Sequence, residues 1–396
     1  MKASSLSSRE RVRLALDHQS TDRIPFAMVC SGINEPARGE FAEYLRRVHQ
    51  TDLNAFLEAM LDIQPVDSRY VGPPLAIGED IWGVVRKPVS AAPDSYWEIA
   101  HYPLAQAVGL DDLRKHRWPT TAWFDYSVLP ARAAALQKER ERCLMIANAN
   151  PFETAWYMRG FEQMFMDVVL NPELVHEMMD RVTSFYVEHF TRLLSSAPGA
   201  IDLAFTADDI AGQNGLLMSI KTWTEFIKPY HARLNRAIHG FGVKVIYHSD
   251  GAVMNAVRGL MDMGIDILQA LQFDAEGMDP AKMKADYGDK LCFEGGVSVQ
   301  RTLPFGTPEA VRAEAELLIQ TLGKNGGYIL GPSHLIQAGT PPENIMAMFD
   351  AVLGYYPFPR GRRGSLTGAI AGGGRRRQSG PGLSRTRRKR VQPSAC

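Results

Sequence analysis

The stretch that most constrains the fold is Val243-Lys244-Val245-Ile246-Tyr247-His248-Ser249-Asp250-Gly251, an apolar run rich in β-branched residues that ends in polar side chains and a glycine. A short run with almost no polar alternation is a strand buried on both faces, the pattern of a parallel sheet covered by helices. In α/β barrels the C-terminal strand ends and the loops after them hold the chemistry, so His248 and Asp250 are expected to project into the mouth. Tyr328-Ile329-Leu330-Gly331-Pro332-Ser333-His334 repeats the pattern, a short apolar strand running into a polar loop with a histidine. His248 and His334 are therefore expected to face one pocket.

The rest of the chain alternates in the same rhythm. Ser7 or Ser8 can cap a helix through Leu16, and residues 23–29 read as a strand. Further strands are expected at residues 143–148 and 201–209, and at 290–293, where the strand ends in Glu294-Gly295-Gly296. Residues 156–166 and 219–239 each read as one helix, and Thr307 caps another with Pro308 at its first position. Residues 65–103, rich in Gly, Pro, Trp and Tyr, are long for a connection and are expected to form hairpins or a cap over the pocket. This alternation predicts an α/β fold, a (β/α)8 TIM barrel with an N-terminal extension, as one domain over residues 1–359.

Charge is split along the chain. Eleven of the 44 basic residues fall between Arg360 and Arg390 and no acid follows Asp350, so the 33 remaining bases face all 44 acids. The segment 360–396 is mostly Gly, Ser, Pro and Arg and is expected to be a disordered basic tail. Nothing in the acidic body calls for nucleic acid. No run of about 18 apolar residues is present to span a bilayer and the N-terminus leads into a charged helix, so a cytoplasmic location is expected. Cys30, Cys143, Cys292 and Cys396 form no CxxC pair, which argues against a disulfide framework and a cysteine-only zinc site.

Polar groups recur at the ends of successive candidate strands: Asp208-Asp209, His248 with Asp250, Glu294, and His334. Two histidines and a carboxylate suffice for a catalytic zinc with an open position, and equally for non-haem iron. No GxGxxG or GxxxxGK[ST] occurs, which argues against nucleotide chemistry. Trp156-Tyr157 can line a pocket for a planar ligand or belong to the core.

Several stretches in order carry a family likeness: Arg9-Glu10-Arg11-Val12, Asp22-Arg23-Ile24-Pro25, Asp80-Ile81-Trp82-Gly83, His248-Ser249-Asp250-Gly251, Gly295-Gly296-Val297, Leu303 through Glu309, and Gly326-Gly327-Tyr328 through His334 to Pro342-Glu343-Asn344. The chain resembles the uroporphyrinogen decarboxylase superfamily over nearly all of its length except the tail, and the resemblance implies a (β/α)8 barrel. Two branches bear on activity. For the decarboxylase branch it implies Asp62 as the catalytic aspartate, or Asp208 and Asp209, with Tyr157 and His334 near the reacting carboxylate. That branch carries an arginine-rich stretch after its first strand, whereas here Met28 to Glu35 holds no arginine.

For the methyltransferase branch the resemblance implies zinc and methyl exchange with a corrinoid protein. His248 stands where the first zinc ligand would be, Asp250 where the second would be and His334 where the third would be, with Glu294 as an alternative carboxylate. The expectation is a metal-assisted methyltransferase acting on a small molecule, with a corrinoid protein and a second copy of the chain as candidate partners. The competing readings are a decarboxylase of porphyrin biosynthesis and a barrel that binds a small molecule without turnover.

Overall fold

The computed structural model describes residues 6–30, 32–89, 97–138 and 140–354; the basic segment from Arg360 lies outside the described residues. Seven strands form one parallel sheet in chain order: β1 (Ile63–Pro65), β2 (Cys143–Ala149), β3 (Leu203–Ala207), β4 (Lys244–His248), β5 (Ile267–Ala270), β6 (Cys292–Val297) and β7 (Tyr328–Pro332). Spatial order follows chain order because each crossover packs its helices outside and returns to the adjacent place.

The eighth place is taken by the segment around Phe26. Ala27 N–H donates to Leu330 O at 3.0 Å and Leu330 N–H to Pro25 O at 2.9 Å, which ties the segment to β7. On its other edge Asp62 N–H donates to Phe26 O at 2.9 Å, just before β1, so the ring closes. The strand expected at residues 23–29 is reduced here to a single bridge between Phe26 and Leu330. Pro25 has no N–H to add to a ladder.

Alternate strand residues divide two cores. Val245, Tyr247, Leu268, Phe293 and Leu330 join the outer core against the helices. Ala27, Ile63, Met145, Phe205, Ile246, Ile267, Cys292 and Ile329 fill the barrel interior. Helix α1 (Ser8–Leu16) starts from a capping box between Ser7 and Glu10 and adds Val12 to that interior, closing the N-terminal end of the barrel. Its Arg9 and Arg13 grip Asp202, directly before β3, at 3.0 and 2.7 Å.

Outside the ring lie α2 (Pro151–Arg159), α3 (Pro172–Ser196), α4 (Lys228–His239) and α5 (Pro308–Leu322), among others. Two expected helices are broken. The one at 219–239 is interrupted at Ile227, because Pro229 can neither donate its N–H nor pack against the preceding turn. The one at 156–166 is interrupted at Gly160, with φ of 98°. A short antiparallel ladder, Val85–Pro88 against Trp97–His101, occupies the segment expected to form hairpins. No described helix is long and apolar enough to cross a membrane.

Candidate functional site

His248 ends β4 and is buried, paired in register with Ala207 of β3 and Gln269 of β5. Its Nδ1 is hydrogen-bonded to Gln269 Oε1. Its Nε2 lies 3.6 Å from Asp209 Oδ1 and 4.0 Å from Asp250 Oδ1. His334, in the loop after β7, places Nε2 3.8 Å from Asp250 Oδ2, and the two imidazole centroids are 5.8 Å apart. The sequence folds this way because Gly251 turns the chain sharply after Asp250, at φ of 85°, where a Cβ would stand 2.5 Å from Gly212 O.

Two overlapping sets of donor atoms result. Cys30, His248 and His334 form one, and Asp209, His248 and Asp250 the other; within each set the atoms lie within 4.8 Å of one another. Each set, one of a thiol and two imidazoles and the other of an imidazole and two carboxylates, matches the donor chemistry of a divalent ion such as zinc, and His248 belongs to both. One buried oxygen of Asp250, Oδ1, accepts no hydrogen bond, as a donor atom kept for a ligand would. Cys30 was not among the residues singled out from the sequence. It ends the apolar segment that closes the ring, as His248 and His334 follow theirs, and that shared position is the signal that could have found it.

Electrostatics follow from burial. The Asp250 carboxyl is held above its ordinary range by desolvation, with the two imidazoles pulling it back and Asp209 adding to the rise. Burial pushes His334 down, and Asp250 opposes this. Beside Asp209, the buried Glu153 is pushed up to about 8 by desolvation and by Asp209 and Asp208. Tyr157 donates to Glu153 Oε1 at 3.1 Å, and Arg86 lies over the Tyr157 ring at 4.9 Å.

Three expected residues stand apart from the cluster. Asp62 precedes β1 at the opposite, N-terminal end of the barrel, where it accepts from Arg11 at 2.8 Å, Arg23 at 2.6 Å and Arg140 at 3.2 Å. Catalytic-face chemistry is thus out of its reach, and its place is structural. Asp208 turns its carboxylate away from the mouth to accept from the N–H groups of Phe152 and Glu153, at 2.9 and 2.7 Å, capping α2. Glu294 belongs to neither donor set. The strand expected to end before it runs on to Val297, so Glu294 faces the barrel interior rather than the mouth.

A family model described as uroporphyrinogen decarboxylase (URO-D) matches residues 112–355, more than half of the chain. The methylated-thiol–coenzyme M methyltransferase of Methanosarcina mazei is 29% identical over 198 residues, covering 50% of this chain and 49% of that protein. The uroporphyrinogen decarboxylase of Psychromonas ingrahamii is 22% identical over 214 residues, covering 51% and 56%. This chain thus spans about half the length of the curated relatives it matches. A solved methyltransferase from Methanosarcina mazei superposes with a TM-score of 0.63 at 18% identity, covering 89% of this chain and 100% of that one, a likeness of fold.

Proposed function

Because the chain belongs to the uroporphyrinogen decarboxylase family, we propose that it is a metal-assisted methyltransferase, moving a methyl group between a corrinoid protein and a small acceptor. The observation that carries this reading is the grouping of Cys30, His248 and His334, with Asp209 and Asp250 grouped on the same His248. Zinc held by Cys30, His248 and His334, with a carboxylate of Asp209 or Asp250 beside it, would lower the pKa of an acceptor that binds at its open position.

The chain's own groups would do the rest. Asp250, whose carboxyl is held high by burial, takes the proton that the acceptor's X–H bond gives up. The acceptor anion then forms the new bond to the methyl carbon, and the donor keeps the electron pair of the bond that breaks. Tyr157 and Glu153, tied by their hydrogen bond, both lie near Asp209.

Decarboxylation of a highly anionic porphyrinogen fits less well. Met28 to Glu35 holds no arginine to pair the carboxylates of such a substrate. The test is metal analysis of protein purified without chelator, beside Cys30→Ser, His248→Ala and His334→Ala. About one zinc per chain in the wild type, lost in large part from each variant that remains folded, supports the reading. Wild-type protein that takes up no zinc when it is supplied overturns it.

A further inference from the structure

His248, Gln269 and Glu294 form a single rank across three neighbouring strands. His248 of β4 pairs in register with Gln269 of β5, and Gln269 with Glu294 of β6. Each stands two residues beyond a side chain of the interior core, Ile246, Ile267 and Cys292 respectively, so all three face the inside of the barrel. All are buried, Glu294 completely.

Within the rank the polar atoms connect. His248 Nδ1 is hydrogen-bonded to Gln269 Oε1, which leaves the amide nitrogen of Gln269 directed to the other side. There the Gln269 side chain faces Glu294, whose two carboxyl oxygens complete no hydrogen bond, a costly state for a buried acid. A glutamine alone does not choose a tautomer for its histidine, because its amide can present either oxygen or nitrogen. A carboxyl group on the far side removes that freedom: it attracts the amide N–H groups and so turns the oxygen toward the imidazole.

We propose that Gln269 and Glu294 are positioning residues that hold His248 in its Nδ1–H tautomer, so that Nε2 is the nitrogen presented to Cys30, Asp209, Asp250 and His334. The consequence for metal binding rests on the function proposed above, while the tautomer itself does not. Both residues are buried. They act through His248, as the partners behind metal-ligating histidines do when they fix ring orientation and donor nitrogen.

The experiment reads the tautomer first and the metal second. Metal-free protein carrying 15N-labelled histidine is examined by long-range 1H–15N correlation at a pH above the imidazole range, with the His248 signals identified by their loss in His248→Gln. The wild type is expected to show Nδ1–H alone. Gln269→Leu should produce the Nε2–H form and weaken zinc binding about 10- to 100-fold in a chelator competition. Gln269→Glu, which keeps an acceptor in place, should restore both.

Should Gln269→Leu fail to fold, Glu294→Leu leaves the Gln269 contact available and is expected to give mixed tautomers. Wild-type His248 in the Nε2–H form, or variants that leave its tautomer unchanged, would overturn the proposal. Zinc failing to bind wild type while Gln269→Leu still switches the tautomer upholds the positioning pair and sinks the metal reading alone.

Discussion

Asp208 and His231 form a completely buried pair, with His231 Nε2 2.5 Å from Asp208 Oδ2, while the adjacent Asp209 looks into the mouth of the barrel. Two successive carboxylates after one strand therefore do different work. Asp208→Asn should cost about 3 kcal/mol in urea unfolding, since one partner of a buried pair is removed and the cap of α2 weakened. Asp209→Asn should leave the unfolding midpoint near that of the wild type and reduce the methyl transfer proposed above. Equal losses of stability in the two variants would contradict this division.

Asp62→Asn is expected to cost about 3–5 kcal/mol, because Arg11 and Arg23 are buried and would keep an uncompensated charge. Zinc content of the folded fraction should not change. Metal loss in this variant without loss of stability would return Asp62 to the catalytic set.

Gly331 is where the ring is tightest. A Cβ there would press on the Ala27 carbonyl oxygen and stand 2.8 Å from Glu294 Oε1. Gly331→Ala should therefore destabilise the protein by about 1–3 kcal/mol, the cost of overpacking a closed interior, measured by chemical denaturation. A variant as stable as the wild type would mean that the seam between β7 and the Phe26 segment can open without penalty.

His189, bonded through Nδ1 to the Tyr126 hydroxyl at 2.7 Å, is lowered by burial to about 4. Its folded pKa lies below the unfolded value, so its contribution is complete above about 6.5 and is lost as pH falls toward 4. Unfolding free energies measured across that window should have a slope shallower by up to about 1.4 kcal/mol per pH unit in His189→Phe. An unchanged slope would show that His189 titrates alike in both states.

Much of the fold can be read from the chain, because buried parallel strands carry their signal in composition as well as order. The runs before His248 and His334 are of this kind, and both histidines lie where such runs lead. Cys30 escaped notice because a thiol inside an apolar stretch passes for core. Glu294 was set at a strand end because Glu-Gly-Gly looks like a turn. Gly295 and Gly296 instead carry β6 onward at φ of 103° and 101°, and the parity of the strand turns the acid inward. Asp208 and Asp209 look alike in sequence; only packing against α2 and His231 separates them.

The closure of the ring by Ala27 and Leu330 also sets a schedule for the growing chain. A ribosome delivers residue 27 long before residue 330, so the first segment must wait, its edge unmatched, until the last strand emerges. Cys30 and His334 flank that joint. The ion they would share can settle only once His334 has emerged, because a shorter chain, however well its middle strands have paired, lacks that imidazole.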